Sequence, residues 1–254
     1  SDINSLLVVS EQGLGDTIQF MRYIPYLRSK KLKISFSAQE KLHPLIKQSN
    51  IDLNPLTPAQ ASDVSNGCWI PLLSLPKYLE VSSDLPLVTK PYIFTSNELK
   101  YKWKNIFSKE KKIIIGINWQ GNPATERNNL KGRSLALELF SSIAEKNVRL
   151  LSLQKGFGSE QLKDCSFQGK FVESQAQVNK IWDFNETVAM IDSCDLIITS
   201  DTVTAHLAGG MGKPTWVLLT AIPDWRWGLN SDKTFWYPSM RLFRQAEIHN
   251  WHDV

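Results

Sequence analysis

Cysteine is scarce in this sequence, and its scarcity excludes two classes of protein at once. Cys68, Cys165 and Cys194 are odd in number and widely spaced. They form no CxxC pair and cannot build a disulfide framework, so a reducing, cytoplasmic setting is expected. Long apolar runs are also missing. No stretch approaches the roughly 18 apolar residues a membrane-crossing helix needs, so no transmembrane segment is expected. The N-terminus lacks the basic, apolar and small-residue succession of a secretory leader, and it opens on Ser1 rather than Met, which leaves room for a longer precursor. Charge of one sign is lacking too. Twenty-nine Lys and Arg against 25 Asp and Glu give a net +4, spread along the chain, which is too little to argue for nucleic acid. A modest basic excess suits an anionic small molecule. No GxGxxG is present and no acidic residue is placed for a ribose hydroxyl, which disfavours a dinucleotide dehydrogenase.

What the sequence does have is a strand-then-helix rhythm. Residues 5–10 form a short apolar run, followed by the Gly13-Leu-Gly15 turn and a helical pattern from Asp16 through Ile18, Met21, Ile24 and Leu27. Pro25 falls inside that pattern and should kink the helix or reset its start. Further strands are expected at 32–36, 51–54 and 68–73, with a short helix near 41–48. An amphipathic helix is expected over 100–112. The second half repeats the pattern more clearly, with strands at 113–118, 149–153, 170–172, 195–199 and 215–219 and helices at 134–146, 159–164, 186–193 and 203–210. Such alternation predicts parallel sheets with helices on both faces, joined by right-handed crossovers. The change of character near residue 110 divides the chain into two Rossmann-like halves, 1–110 and 111–254, and the fold class is α/β.

Five constellations stand out, and four of them lie at strand carboxyl ends, where open α/β sheets bind ligands. In Glu11-Gln-Gly-Leu-Gly-Asp16, the glycines (Gly15 above all) let backbone approach a ligand, and Asp16 is either a helix cap or a reactive carboxylate. In Asp195-Leu-Ile-Ile-Thr-Ser-Asp201-Thr-Val-Thr-Ala-His206, a buried strand runs directly into a small-residue helix. The free N–H groups at that helix start suit a phosphate or diphosphate, with Asp201, Thr202 and His206 alongside. The alternative is that Asp201 and Thr202 merely cap the helix while His206 packs. The third is a polar loop that starts at Asn118-Trp-Gln120-Gly-Asn and continues through Arg127, Lys131 and Arg133. It carries cations able to neutralise a leaving diphosphate, unless it is only a solvated basic loop. In Ser152-Leu-Gln154-Lys155-Gly, the amide and the amine could read a base or ribose. The last is Pro223-Asp-Trp-Arg-Trp-Gly228 with Phe235-Trp-Tyr-Pro-Ser-Met-Arg241, which crowds aromatics and charges, either for stacking on a sugar or base or for packing between the halves.

These segments, with Trp182-Asp-Phe-Asn-Glu-Thr187 and the run 194–219, give the chain a resemblance to the heptosyltransferase-like glycosyltransferases (family 9, GT-B fold). Within that family it resembles the glycosyltransferase domains that follow tetratricopeptide repeats in bacterial proteins. The resemblance implies two Rossmann-like domains facing a cleft and inverting transfer from a nucleotide-diphosphate sugar, which is a substrate rather than a cofactor, without bound metal. It implies Asp16 as the catalytic base. Gly15, Asn118, Gln120, Gln154, Lys155, Asp201, Thr202 and His206 form the candidate donor site. Lys131 falls near the family's phosphate-binding lysine, with Arg133 as rival. The acceptor, whether protein, peptide or glycan, is open, and an upstream repeat array is implied as a partner. Two departures matter. The first half is short for the family, where acceptor loops usually lie, and the spacing from Gly15-Asp16 to Pro25 is longer than in lipopolysaccharide heptosyltransferases, so heptose is not implied. The rival reading is a non-catalytic nucleotide- or glycan-binding module. A GT-B epimerase lacks a clear acid/base pair here.

Overall fold

A computed structural model of the chain describes residues 5–64, 67–126 and 132–254. The chain builds two separate parallel sheets. Around the first lie β1 (Ser5–Val9), α1 (Leu14–Phe20), α2 (Tyr23–Ser29), β2 (Lys33–Ser37), α3 (His43–Gln48), α4 (Pro58–Ser62), β3 (Cys68–Pro71), α5 (Leu75–Tyr78) and α6 (Asn97–Ile106). Around the second lie β4 (Ile113–Asn118), α7 (Pro123–Glu126), β5 (Val148–Ser152), α8 (Gln175–Asn179), α9 (Phe184–Asp192), β6 (Leu196–Ser200), α10 (Val203–Gly210), β7 (Thr215–Leu219) and β8 (Met240–Arg244). The strand orders are β2-β1-β3 and β5-β4-β6-β7-β8. Each sheet therefore begins in its middle and winds outward both ways. This creates a topological switch point between β1 and β3 and another between β4 and β6, where doubly wound sheets bind ligands.

The local structure follows from a few residues. Pro25, the third residue of α2, has a ring that cannot coexist with the carbonyl four positions earlier. The helical pattern accordingly breaks at Met21-Arg22. The strands of the second sheet are apolar on both sides because both faces are covered. One face carries Ile114, Leu151, Ile197, Val217 and Leu242; the other carries Ile115, Ile117, Leu150 and Ile198.

Some expected elements take another form. The strand expected at 51–54 is absent; there the chain turns, buries Ile51, and bridges the first sheet only where Leu56 meets Ser37. The strand expected at 170–172 reduces to a single Phe171–Leu150 bridge. The helices expected at 134–146 and 159–164 are 3-10 turns over Leu137–Ile143 and Ser159–Lys163. In the first of these, the Ser142 hydroxyl donates to the Leu139 carbonyl and competes with a regular ladder. Strand β8 was not expected. Its sequence, Met240-Arg-Leu-Phe-Arg244, interleaves charged residues with apolar ones and so lacks the continuous apolar run that marks the inner strands.

The two sheets are joined rather than merely linked. Side chains from both, including Val8, Ile18 and Phe36 with Ile114, Ile197 and Val217, share one continuous core. Helix α6 packs on α9, where Glu186 accepts from the Trp103 indole and pairs with Lys102 at 2.5 Å. Farther along, the Tyr92 and Ile93 amides donate to the Gly210 carbonyl at 2.8 and 3.1 Å. A methyl group on Gly209 would lie 2.5 Å from the Tyr237 ring and Met240, and one on Gly210 would lie 2.5 Å from Ile93. The glycines at the end of α10 thus serve close packing.

Candidate active site

The carboxyl ends of both sheets converge where α1 packs against α10. At the first switch point, the Glu11 carboxylate accepts from the Leu72 and Leu73 amides at 3.0 and 3.1 Å, tying the end of β1 to the end of β3. The chain then passes through Gln12 at a left-handed φ of 66° into α1. Asp16, in the first turn, reaches back to accept from the Gly13 amide at 2.9 Å, which is a helix-capping contact. Its other oxygen, Oδ1, is 2.6 Å from Arg226 Nη2. Gly15 sits against α10 so closely that a methyl group there would lie 2.9 Å from His206 Cδ2.

Arg226 lies on the loop after β7 and is the hub of this corner. Its Nε donates to Asp224 at 2.8 Å, Nη1 donates to Gln19 at 2.7 Å, and Nη1 lies 3.5 Å from His206 Nε2. Its side chain is 8% exposed. Burial opposes its charge, but Asp16 and Asp224 more than offset that and hold it firmly protonated. His206 is buried, stacks on Trp227 with centroids 5.7 Å apart, and contacts the Tyr237 hydroxyl through Nδ1 at 2.9 Å. Burial, then Arg226 and Arg22, push its pKa well below the ordinary value, so the ring is neutral. With Nε2 facing an arginine donor, the proton belongs on Nδ1.

At the second switch point, Asn118 ties three chain ends together. Its Nδ2 donates to Gln154 at 2.9 Å, and its Oδ1 accepts from Thr199 at 3.3 Å and Thr202 at 2.7 Å. Thr202 is the N-cap of α10, yet its hydroxyl is committed to Asn118, and the helix start has no side-chain cap among the described residues. The Ala205 N–H turns back to the Thr202 carbonyl at 3.0 Å, so among the described residues the Val203 and Thr204 N–H groups are the ones left for a ligand or solvent. Asp201 precedes it. Burial raises the Asp201 carboxyl pKa, while Arg226 and Arg133 pull it down. Arg133 Nη1 donates to the Asp201 carbonyl at 3.2 Å, and its guanidinium lies flat against Gly121, where a methyl group would meet it at 2.5 Å.

The sequence candidates thus fall into two adjoining groups. Gly15, Asp16 and His206 meet around Arg226, and Asp201, Thr202, Arg133 and Asn118 meet at the start of α10. Three others are engaged in bracing. Gln154 accepts from Asn118 and from the Trp119 and Gln120 amides, and donates to the Gln120 and Phe157 carbonyls, so its amide is fully used inside the protein. Gln120 meets Gln161 at 3.3 Å. Lys155 donates to the Val178 carbonyl at 2.5 Å, and burial lowers its pKa to about 8. The Trp182–Thr187 segment is structural as well: Asp183 caps α9 and Glu186 holds α6. Lys131 and Arg127 lie outside the described residues. Sequence reasoning leaves Gln19 and Arg22 unmentioned, and it places Asp224 and Arg226 in a crowded loop without giving either a role in the site. The aromatic-rich Pro223–Gly228 stretch was the available signal, but nothing in it tells which charge faces the cleft. Among the described residues no cluster of three or more His, Cys, Asp or Glu is arranged to hold a metal, and no helix is long and apolar enough to cross a membrane.

Two parallel α/β sheets meeting at their carboxyl ends, with a carboxylate on one and an open helix start on the other, define the GT-B architecture. Comparison with solved structures bears this out. The fold is similar to a family 9 glycosyl transferase from Veillonella parvula at a TM-score of 0.62 and 12% identity, covering 96% of this chain and 86% of that one. It is similar to the Escherichia coli ADP-heptose lipopolysaccharide heptosyltransferase II at 0.60 and 11%, covering 98% and 93%. It is also similar to the dodecameric iron-containing glycosyltransferase TibC of enterotoxigenic E. coli at 0.56 and 13%, covering 97% and 64%. No protein-family model matches the chain, and no curated protein matches it.

Proposed function

We propose that the chain is a glycosyltransferase that moves a sugar from a nucleotide-diphosphate sugar to an acceptor hydroxyl with inversion and without a metal. The observation that carries this reading is the corner where Asp16, from the first sheet, is held 2.6 Å from Arg226 beside the uncapped start of α10 on the second. In the proposed reaction the acceptor oxygen attacks the anomeric carbon and its proton passes to Asp16. The bond from the anomeric carbon to the diphosphate oxygen breaks, and the nucleoside diphosphate leaves with the electron pair. The first N–H groups of α10, with Arg133 or Lys131, stabilise that leaving charge. His206, neutral and engaged on both ring nitrogens, contributes packing and hydrogen bonds rather than charge. Similar structures bear the names of enzymes using ADP-heptose and of family 9 glycosyl transferases, which supports a nucleotide-sugar donor. The three unpaired cysteines support a cytoplasmic site of action. An upstream repeat array would favour a protein or peptide acceptor.

The test is donor hydrolysis over a panel of ADP-, UDP- and GDP-sugars, comparing the protein with Asp16→Ala and Asp201→Ala. Turnover of at least one donor that falls about 100-fold or more in Asp16→Ala is the expected result. Binding without turnover for every donor, indifferent to Asp16→Ala, would leave a nucleotide-binding module in place of an enzyme.

A further inference from the structure

Arg226 occupies a position that packing alone does not require. A buried arginine with two carboxylates is costly to desolvate, and apolar residues of similar volume commonly stabilise such a place as well or better. Here the guanidinium gathers acceptors from both halves of the cleft. Asp16 and Gln19 belong to α1, Asp224 belongs to its own loop, and His206 belongs to α10. The arginine is itself held in place. The Asp224 carboxylate accepts the Arg226 backbone N–H at 3.1 Å, and the Trp236 indole donates to the Arg226 carbonyl at 3.0 Å. Trp227 next to it is buried against His206. With Gly13 on one carboxylate oxygen and Arg226 on the other, Asp16 is fixed from two sides by two different lobes. Each oxygen keeps a lone pair for a further donor.

We infer that Arg226 is the positioning residue of Asp16, reaching from the donor-side sheet to aim the carboxylate at the acceptor hydroxyl. This rests on the reading of Asp16 as base. Arg226 does not touch the reacting atoms; it acts through Asp16, and the base is in place only while the two sheets are docked.

A double-mutant cycle in donor hydrolysis tests this, with ADP-heptose, UDP-glucose and GDP-mannose as probes. Arg226→Gln should lower the turnover rate about tenfold or more, within the roughly hundredfold that an ångström of misplacement can cost, and Arg226→Lys should recover part of it. In an Asp16→Asn background Arg226→Gln should change the residual rate less than about twofold, because the residue it aims is gone. The affinity for ADP and UDP, read by calorimetry, should stay within about threefold. Equal losses in both backgrounds, no loss in either, or a fall in diphosphate affinity that tracks the fall in rate would overturn the inference; the last would make Arg226 a phosphate ligand. Asp16→Asn that hydrolyses donor like the unaltered protein would sink the base reading itself, which is a different result. If Arg226→Gln does not fold, Asp224→Asn is the milder variant. It should lower the rate severalfold with Asp16 present and not at all in Asp16→Asn, and additive losses would again overturn the inference.

Discussion

Replacing Gln154 by glutamate asks whether the loop after β4 depends on a single side-chain amide. Gln154 is 3% exposed, accepts three hydrogen bonds through Oε1 and donates two through Nε2, to Gln120 O at 2.9 Å and Phe157 O at 2.7 Å. Gln154→Glu keeps the shape and the accepting end but sets a carboxylate oxygen against two carbonyls. Stripping two buried carbonyls of their donor costs roughly 2–6 kcal/mol, and the buried charge adds to that. At about 2–4 °C per kcal/mol for a chain of this size, the thermal midpoint should fall by at least about 4 °C. The loss should depend on pH. Three N–H donors on one oxygen favour the charged carboxylate, but burial and the two carbonyls facing the other oxygen, which only a protonated carboxyl can satisfy, outweigh them and raise its pKa, so the folded state would hold a proton that the unfolded state releases above about pH 4.3. Stability therefore falls as pH rises from that point, and the variant should lose more at pH 8 than at pH 4. Urea unfolding of both proteins at the two pH values reads this out. A difference below about 1 kcal/mol, or one that does not change with pH, would refute the bracing role and return Gln154 to the candidates for ligand contact.

Gly15→Ala should destabilise by about 1–3 kcal/mol and lower donor turnover, because the methyl group meets the buried His206 ring at 2.9 Å; thermal unfolding near that of the unaltered protein would contradict the close packing of α1 on α10. Lys155, lowered to about 8 by burial, should show a midpoint near pH 8 in competitive acetylation read peptide by peptide, and a midpoint above 10 like ordinary lysines would contradict its burial. The depressed His206 pKa means that the unfolded chain binds a proton the folded one refuses. Stability should therefore drop as pH falls below about 6.5, the ordinary histidine value, and His206→Gln should flatten that slope in urea unfolding; an unchanged slope would assign the acid sensitivity elsewhere.

Most of the fold was legible because its signals are local. The apolar runs 113–118 and 215–219 and the small-residue helix 203–210 appear with the expected bounds, since a strand buried on both faces needs uninterrupted apolar residues. Pro25 announced its break through sterics alone. What was illegible depends on neighbours. Edge strand β8 and the 3-10 turns over the second sheet are set by what they pack against. The site divides the same way. Chain order alone shows that Asp16 and Thr202 follow strands, but which polar groups face the cleft is decided by pairing across more than a hundred residues. Gln154 looks like a reader of bases until its five hydrogen bonds are counted inward, and Arg226 looks like loop packing until Asp16, 210 positions away, is found against it.

The union of the two sheets through one core has a consequence for motion. Two-lobed enzymes commonly open and shut about a flexible connection, trading water exclusion against substrate entry. Here the backbone of Tyr92 and Ile93 is stitched to the end of α10, and buried Arg22 donates to the Trp236 carbonyl at 2.6 Å. Swinging one lobe away would strip these donors of partners in a dry place. Any parting of the lobes must first break these bonds, so the joint resists opening by the cost of leaving buried donors unpaired.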